Sequence, residues 1–154
     1  MGSPLFLQER VGRYGQSFKL VKFRTLPAKT PQVPTHELGM VKISPLGRFL
    51  RLSKLDELPQ LWNVLVGDMS MVGPRPCLVS QKELLTERVL RQIDLVKPGI
   101  TGLAQIRKID MSTPRKLAKV DALMVNKMGF CFYFQLLWNT ICIASLRSQR
   151  FKQC

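Results

Sequence analysis

With 154 residues, 45% of them hydrophobic, the chain is long enough to bury a core and is predicted to fold as one domain rather than to stay disordered. Its 24 lysines and arginines against 10 aspartates and glutamates give a formal charge of +14, which favours a polyanionic partner: nucleic acid, an anionic membrane surface or a phosphorylated substrate. The four cysteines have no paired spacing and stand with one histidine, which argues against a zinc site.

The first predicted element is a β-hairpin over residues 5–25. Apolar residues in 5–10 and 17–25, joined by a turn with two glycines, are typical of two antiparallel strands. Residues 26–45 contain four prolines and little periodicity, which predicts a surface loop. His36 lies in this loop and is interpreted as a solvated side chain rather than a catalyst.

The stretch around which the chain is organised is 55–67, where the adjacent acids Asp56 and Glu57 open an apolar helical pattern. Residues 46–52 before it are predicted to form a short turn or helix that carries Arg48 and Arg51. Helical spacing predicts a buried face made of Leu55, Leu58, Leu61, Trp62 and Leu65.

Two starting points for this helix are open. Ser53 is a candidate N-cap with an acid three residues later, but Pro59 would then kink the first turns. If the helix instead begins near Leu58, Pro59 takes its favoured first position and both acids precede the helix. In either case Asp56 and Glu57 lie near the positive end of a helix, where acids serve either as plain capping residues or as functional groups.

Two loops rich in glycine and proline follow. In 68–76, Pro74 and Pro76 flank Arg75, so the backbone around this arginine is stiff. A fixed guanidinium suits bidentate binding of a phosphate, although an exposed arginine in a turn is the simpler interpretation. The small residues of 97–102 would let the backbone approach a ligand closely.

The remaining elements are predicted to be helices. Residues 81–93 are charged and amphipathic, and 113–127 begins with Pro114 at the first helical position. Residues 128–146 carry no charge and favour first a core helix and second a helix lying against a bilayer surface. The tail 147–154 is basic and would favour anionic headgroups. The fold class is therefore α+β, an N-terminal β-hairpin followed by a mainly helical part.

Several of these segments, in this order, resemble the bacterial sugar transferase family, the monotopic phosphoglycosyl transferases that start glycan assembly on a polyprenyl phosphate carrier. The resemblance is carried by segments 8–13, 22–25, 46–51, DELPQLWNV at 56–64, 67–70, VGPRP at 72–76 and KPGITGLAQ at 97–105. It implies that 1–154 is one catalytic domain, with 46–146 as its helical core and Gly/Pro-rich loops at the active site.

The activity implied is the transfer of a sugar-1-phosphate from a nucleoside diphosphate sugar, usually a UDP-sugar, to polyprenyl phosphate. This step initiates the synthesis of exopolysaccharide, O-antigen or glycoprotein glycans. In the family pattern Asp56 is the nucleophile that forms a covalent phosphosugar intermediate, and Glu57 helps to hold Mg²⁺. The positions implied to bind substrate phosphates are Arg51, Arg75, Lys22, Arg24, Thr101 and Gln105. Arg107 and Asp121 are further candidate site residues, Asp121 because it matches an acid of the family pattern.

The proposed chemistry accounts for the residue types. A carboxylate must be ionised to attack, and a helix N-terminus with nearby arginines is expected to lower the pKa of Asp56. Attack on a diphosphate opposes like charges, so Mg²⁺ and arginines must neutralise the phosphates.

Family members usually begin with a hydrophobic segment that enters the membrane, and this chain starts where that segment would finish. The resemblance therefore implies a peripheral protein on an anionic membrane surface, at the cytoplasmic face of a bacterial inner membrane. Two alternatives are a truncated, inactive relative that keeps the fold and a basic nucleic-acid-binding module. The second is disfavoured because the aromatic residues are not interleaved with the cations as a base-stacking surface requires.

Overall fold

The computed structural model describes residues 3–27 and 43–152 and has the predicted α+β class, a β-hairpin followed by a mainly helical region. The strands are β1 (Leu5–Val11), β2 (Ser17–Phe23), β3 (Ser70–Val72) and β4 (Gly99–Thr101). The helices are α1 (Pro45–Leu52), α2 (Gln60–Leu65), α3 (Lys82–Val89), α4 (Leu103–Ile106), α5 (Pro114–Asn126) and α6 (Phe130–Lys152).

The predicted hairpin is confirmed. Strands β1 and β2 pair antiparallel, with Gln8 opposite Leu20, and Tyr14 and Gly15 adopt positive φ angles of 57° and 72° in the connecting turn. The free edge of β2 is held by a side chain from α2. Asn63 accepts a hydrogen bond from the Val21 N–H (3.1 Å) and donates one to the Lys19 carbonyl (2.9 Å). The hairpin is therefore attached to α2 through backbone groups.

Helix α1 confirms the helix predicted over 46–52. The Ser44 hydroxyl accepts a hydrogen bond from the Gly47 N–H (3.0 Å), and Pro45 occupies the first turn. The helix ends at Leu52, and Lys54 then turns the chain with a φ of 62°. Most of the predicted loop 26–45, including His36, lies outside the described residues.

The acid pair precedes a helix, as the second of the two alternatives predicted. Residues Leu55–Glu57 form a 3-10 turn, Pro59 occupies the N-cap position and α2 follows it. The first alternative is wrong because Ser53 caps the C-terminus of α1, where its hydroxyl donates to the Phe49 carbonyl (2.8 Å).

The predicted buried face of this segment is wrong. All five apolar residues assigned to it are exposed, from 37% for Leu55 to 79% for Leu65. The buried side chains are the polar Glu57, Gln60 and Asn63, each at most 7% exposed. The polar face points inward because Asn63 satisfies the edge of β2 and Glu57 pairs with a cation, so the apolar face is left outward.

Strands β3 and β4 form a two-stranded parallel sheet that brings the two Gly/Pro-rich loops together, with Ser70 opposite Gly99. A Cβ atom on Gly99 would lie 2.0 Å from the Gly73 nitrogen, and one on Gly102 would lie 2.5 Å from the Gly73 oxygen. These glycines therefore let two backbone segments approach each other, whereas the sequence predicted an approach to a ligand.

The core of the helical part lies between α3 and α5. Its buried members are Cys77, Leu84, Ile93, Ala104, Leu117, Ala118 and Val120. Helix α5 matches its prediction, whereas α3 ends at Val89, short of the predicted residue 93, because Gln92 adopts a φ of 57° and starts a 3-10 turn.

Helix α6 is a core helix on one face only. Leu136 is 1% exposed, whereas Phe130, Phe134, Trp138 and Ile141 are each more than half exposed. The backbone of α6 continues to Lys152, so most of the segment predicted as a tail is helical. Within the described part of the chain, no helix has both the length and the apolar content that crossing a bilayer requires.

Candidate active site

The acid pair lies in the 3-10 turn between α1 and α2, on the buried side of the hairpin. The turn contacts both α1 and β2, and the positive φ of Lys54 directs the chain into it. Glu57 is buried and Asp56 is partly buried, so two adjacent carboxylates face different environments.

Glu57 is held by two cations. Its Oε1 accepts a hydrogen bond from Arg75 Nη2 at 3.0 Å, and its Oε2 lies 3.5 Å from Lys54 Nζ. Burial favours the neutral carboxyl, but Arg75, Lys54 and Lys22 together outweigh it and lower the pKa of Glu57 to about 2. Glu57 is therefore an anion at all physiological pH values.

The pKa of Asp56 moves in the opposite direction. It is raised, first by burial and second by the negative charge of Glu57, against the opposing charges of Lys22, Arg51 and Lys54. The expectation that Asp56 has a lowered pKa is wrong, because burial and the neighbouring acid outweigh the cations. Asp56 is consequently the more basic carboxylate of the pair, which makes it the better oxygen nucleophile.

Three cations converge beside the acids. Arg10, Lys22 and Arg75 line one small cavity with Gln60 and Gly99. Burial and then the charge of Arg75 lower the pKa of Lys22 to about 7 and that of Arg10 to about 10. Because burial and, to a smaller extent, the neighbouring cations disfavour these charges, a phosphate or diphosphate bound here would stabilise them.

The two other predicted phosphate-binding residues of the N-terminal half differ in their placement. Arg51 donates from Nε to the Thr25 hydroxyl (2.9 Å), and its charge acts on Asp56. Arg24 instead donates to the Ser3 carbonyl (2.9 Å) and lies over the Phe6 ring, so the hairpin engages its guanidinium.

Thr101 and Gln105 line a second small cavity together with Lys54. The Thr101 hydroxyl lies 2.5 Å from the Thr140 hydroxyl of α6. Gln105 donates to the Ile100 carbonyl at 3.3 Å, while its buried Oε1 has no hydrogen-bond partner among the described residues. Lys54 thus connects this cavity to Glu57, and Gln105 retains a free acceptor within it.

The last two candidates make no hydrogen bond or ion pair with the acid pair among the described residues. Arg107 is exposed at the C-terminal end of α4. Asp121 is fully buried in α5, where it pairs with Arg88 at 2.7 Å.

The sequence interpretation missed three side chains of the site: Arg10, Lys54 and Gln60. Only Lys54 had a local signal, since it lies three residues before Glu57. Arg10 reaches the site through a hydrogen bond from Nη1 to the Pro76 carbonyl (3.0 Å), a separation of 66 residues that no local pattern encodes.

The carboxylates suit Mg²⁺ only if a substrate contributes further ligands. Within the described residues, no group of three or more His, Cys, Asp or Glu side chains could hold a metal ion. Mg²⁺ usually binds one or two carboxylates together with substrate phosphates and water. In the described part of the chain, Glu57 Oε2 has only the long 3.5 Å contact to Lys54, so it is the oxygen that could be shared with a metal ion.

Comparison with known proteins adds an independent finding. The family model for bacterial sugar transferases matches residues 1–147. An uncharacterized sugar transferase, EpsL of Bacillus subtilis, is 39% identical over 142 residues, which cover 92% of this chain and 70% of that protein. The UDP-glucose:undecaprenyl-phosphate glucose-1-phosphate transferase of Klebsiella pneumoniae is 45% identical over 154 residues, 91% of this chain. The UDP-galactose-lipid carrier transferase of Erwinia amylovora is 40% identical over 162 residues, 92% of this chain. The match spans 32% of the length of each of the last two proteins.

Proposed function

The chain belongs to the bacterial sugar transferase family, and from this membership we propose that it transfers a sugar-1-phosphate from a UDP-sugar to polyprenyl phosphate. The relatives from Klebsiella and Erwinia are named for reactions of this class. The observation that carries the proposal is the geometry of two adjacent carboxylates: Glu57 is buried and bound by Arg75 and Lys54, whereas Asp56 is partly buried, close to the cavity that Arg10, Lys22 and Arg75 line.

In the first step Asp56 attacks the phosphorus that carries the sugar. An O–P bond forms between the carboxylate and this phosphorus, while the P–O bond to the inner phosphate breaks. The nucleoside monophosphate leaves with the bridging oxygen and its electron pair. Asp56 suits this role because, among the described residues, its carboxylate makes none of the close ion pairs that hold Glu57.

In the second step a phosphate oxygen of polyprenyl phosphate attacks the same phosphorus. The bond to Asp56 breaks, which restores the carboxylate and releases the polyprenyl diphosphate sugar. Arg75, Lys22 and Arg51 would bind the phosphate oxygens and offset the charge that opposes both attacks.

A divalent cation completes the proposed donor site. Glu57 would hold Mg²⁺ through Oε2, together with the phosphates of the donor, and the ion would neutralise part of the diphosphate charge when bound. The buried Arg75–Glu57 contact keeps the glutamate ionised and oriented for this purpose.

We further propose that the chain works on an anionic membrane surface, at the cytoplasmic face of the inner membrane. The support is the outward apolar face of α2, the exposed apolar side chains of α6 and the formal charge of +14. The exposed side chains of α6 are Phe130, Phe134, Trp138 and Ile141. The only two tryptophans, Trp62 and Trp138, lie on these two faces and are 62% and 67% exposed. Vesicles rich in anionic lipid should shift the tryptophan fluorescence of the protein to the blue. The variants Trp62→Phe and Trp138→Phe, which each keep one tryptophan, show which of the two faces contacts the lipid. An unchanged spectrum in both variants would refute membrane contact by these faces.

The transfer reaction is tested with the purified chain, UDP-sugars, Mg²⁺ and polyprenyl phosphate in detergent. We expect release of UMP and a phosphosugar adduct on the protein, both lost in Asp56→Asn. Asp94→Asn is the matched control, because Asp94 is also a partly buried acid in a 3-10 turn and should retain activity. Absence of UMP with every donor would reject the reaction, and nucleotide binding without an adduct would identify an inactive relative.

A further inference from the structure

A buried ion pair lies behind the acid site and is not used by the proposed reaction. Arg88 of α3 donates from Nη2 to Asp121 Oδ2 of α5 at 2.7 Å. Both residues are among the buried charged groups, with Asp121 at 0% and Arg88 at 7% exposure.

Stability alone accounts poorly for this pair. The pair makes one hydrogen bond instead of the two of a bidentate arginine–carboxylate contact, and Arg88 Nε and Asp121 Oδ1 are buried without a partner among the described residues. Apolar residues of similar volume often stabilise a protein as well as a buried ion pair does. The geometry therefore calls for another role.

The second terminal nitrogen of the guanidinium shows what that role is. Arg88 Nη1 donates to the backbone carbonyl of Arg75 at 2.9 Å, and Arg75 in turn donates from Nη2 to Glu57 at 3.0 Å. One continuous chain of contacts thus connects the buried Asp121 to the acid pair.

The loop around Arg75 depends on its carbonyl groups for anchoring, because the flanking Pro74 and Pro76 have no N–H to donate. The Pro74 carbonyl accepts from the Gly99 N–H (2.9 Å), and the Pro76 carbonyl accepts from Arg10 Nη1 (3.0 Å). Three successive carbonyls are therefore held by three different parts of the chain, and Arg88 holds the central one.

We propose that Arg88, oriented by Asp121, is a positioning residue that fixes the backbone of Arg75 so that its guanidinium faces Glu57 and an anion bound beside it. A lysine cannot replace Arg88, since one ammonium on a flexible stem does not hold a carboxylate and a carbonyl in a fixed fork. The inference concerns the geometry of Arg75 and holds whether or not the chain transfers sugars.

The decisive variant replaces both partners by apolar residues, Arg88→Met with Asp121→Leu, so that no charge is left buried and the fold is retained. Arg88→Lys is the second variant, because it keeps the charge pair while losing the fork. Arg91→Met is the control, since Arg91 lies just after α3 and pairs with Glu87, and it makes no hydrogen bond or ion pair with Arg75 among the described residues.

Two measurements read the position of Arg75 without any turnover. The first is the side-chain ¹⁵N NMR spectrum, in which a guanidinium held by Glu57 shows slowly exchanging, separate Nη signals. The second is the affinity for inorganic pyrophosphate by calorimetry. The variants should average the Arg75 Nη signals and weaken pyrophosphate binding about tenfold, which is the effect expected from losing one hydrogen bond to a charged group.

A double-mutant cycle separates positioning from general support. If Arg88 acts through Arg75, its substitution should have no further effect on pyrophosphate affinity in an Arg75→Met background. If the variant Arg88→Met with Asp121→Leu folds and keeps both the Arg75 Nη signals and the pyrophosphate affinity of the parent, the proposal is overturned. If that variant does not fold, the Nη signals and the pyrophosphate affinity are measured on folded Arg88→Lys instead. Parent values for both in Arg88→Lys would likewise overturn the proposal.

Discussion

Lys22 should lower the free energy of unfolding of the protein at neutral pH. Burial of its ammonium and the positive charge of Arg75 lower the pKa of Lys22 to about 7 from an ordinary 10.5. Folding therefore opposes its charge at neutral pH, and Lys22→Met should raise the free energy of unfolding while it weakens phosphate binding. A stability gain coupled to a functional loss is the pattern expected of a binding residue held in an unfavourable state.

The magnitude follows from the difference between the two pKa values. A difference of 3.5 between 10.5 and about 7 corresponds to about 5 kcal/mol for a fully buried group, and solvent screening of the partly buried side chain reduces this to about 2 kcal/mol. Because the folded pKa lies below the unfolded one, the penalty is complete below pH 7. It declines as pH rises toward 10.5, where the lysine is neutral in both states.

Urea denaturation at pH 6 and at pH 10.5 measures this effect. Lys22→Met should be more stable than the parent at pH 6, and the advantage should disappear at pH 10.5. Lys19→Met is the matched control, since Lys19 is exposed on the same strand, and its effect should stay within about 0.5 kcal/mol. A Lys22→Met variant that is no more stable than the parent at pH 6 would show that burial and Arg75 do not destabilise the charge of Lys22.

Two further predictions concern the groups that hold the site together. The folded pKa of Glu57 is about 2 against an ordinary 4.5, so ionised Glu57 should contribute about 3 kcal/mol above pH 4.5 and lose this contribution as pH falls to 2. Urea midpoints between pH 7 and pH 2 should therefore depend less on pH in Glu57→Gln than in the exposed-site control Glu83→Gln, and equal slopes would refute the assignment. Asn63→Ala should lower the free energy of unfolding by about 3 kcal/mol, because two backbone groups of β2 lose their partner. Asn63→Asp should not restore it, since a carboxylate would face the Lys19 carbonyl, and full stability in that variant would contradict the hydrogen bonds.

Local chemistry in the sequence was sufficient for the hairpin and α5. In each case the signal lies within a few residues: a turn with two glycines between apolar segments, and Pro114 at the first helical position. The same holds for the stiff backbone of Arg75, which its two neighbouring prolines impose. Such features need no knowledge of distant partners.

The orientation of α2 could not be predicted in this way. An amphipathic pattern shows that one face is apolar, but burial of that face also requires an apolar partner within the same chain. Here the available partner is the edge of β2, which demands a donor and an acceptor, and Asn63 supplies both. The contact of Arg88 with Asp121 spans 33 residues and likewise leaves no local signal.

The difference between the two acids also arises from distant partners. Asp56 and Glu57 are adjacent, so any field from the start of α2 acts on both and cannot assign them different roles. The assignment comes from Arg75, which bonds Glu57 and leaves Asp56 to burial and to the repulsion of its neighbour. If Arg75 bound both carboxylates, it would lower the pKa of each, and no basic carboxylate without an ion pair would be left. In the proposed reaction Asp56 is therefore the carboxylate expected to act as the nucleophile.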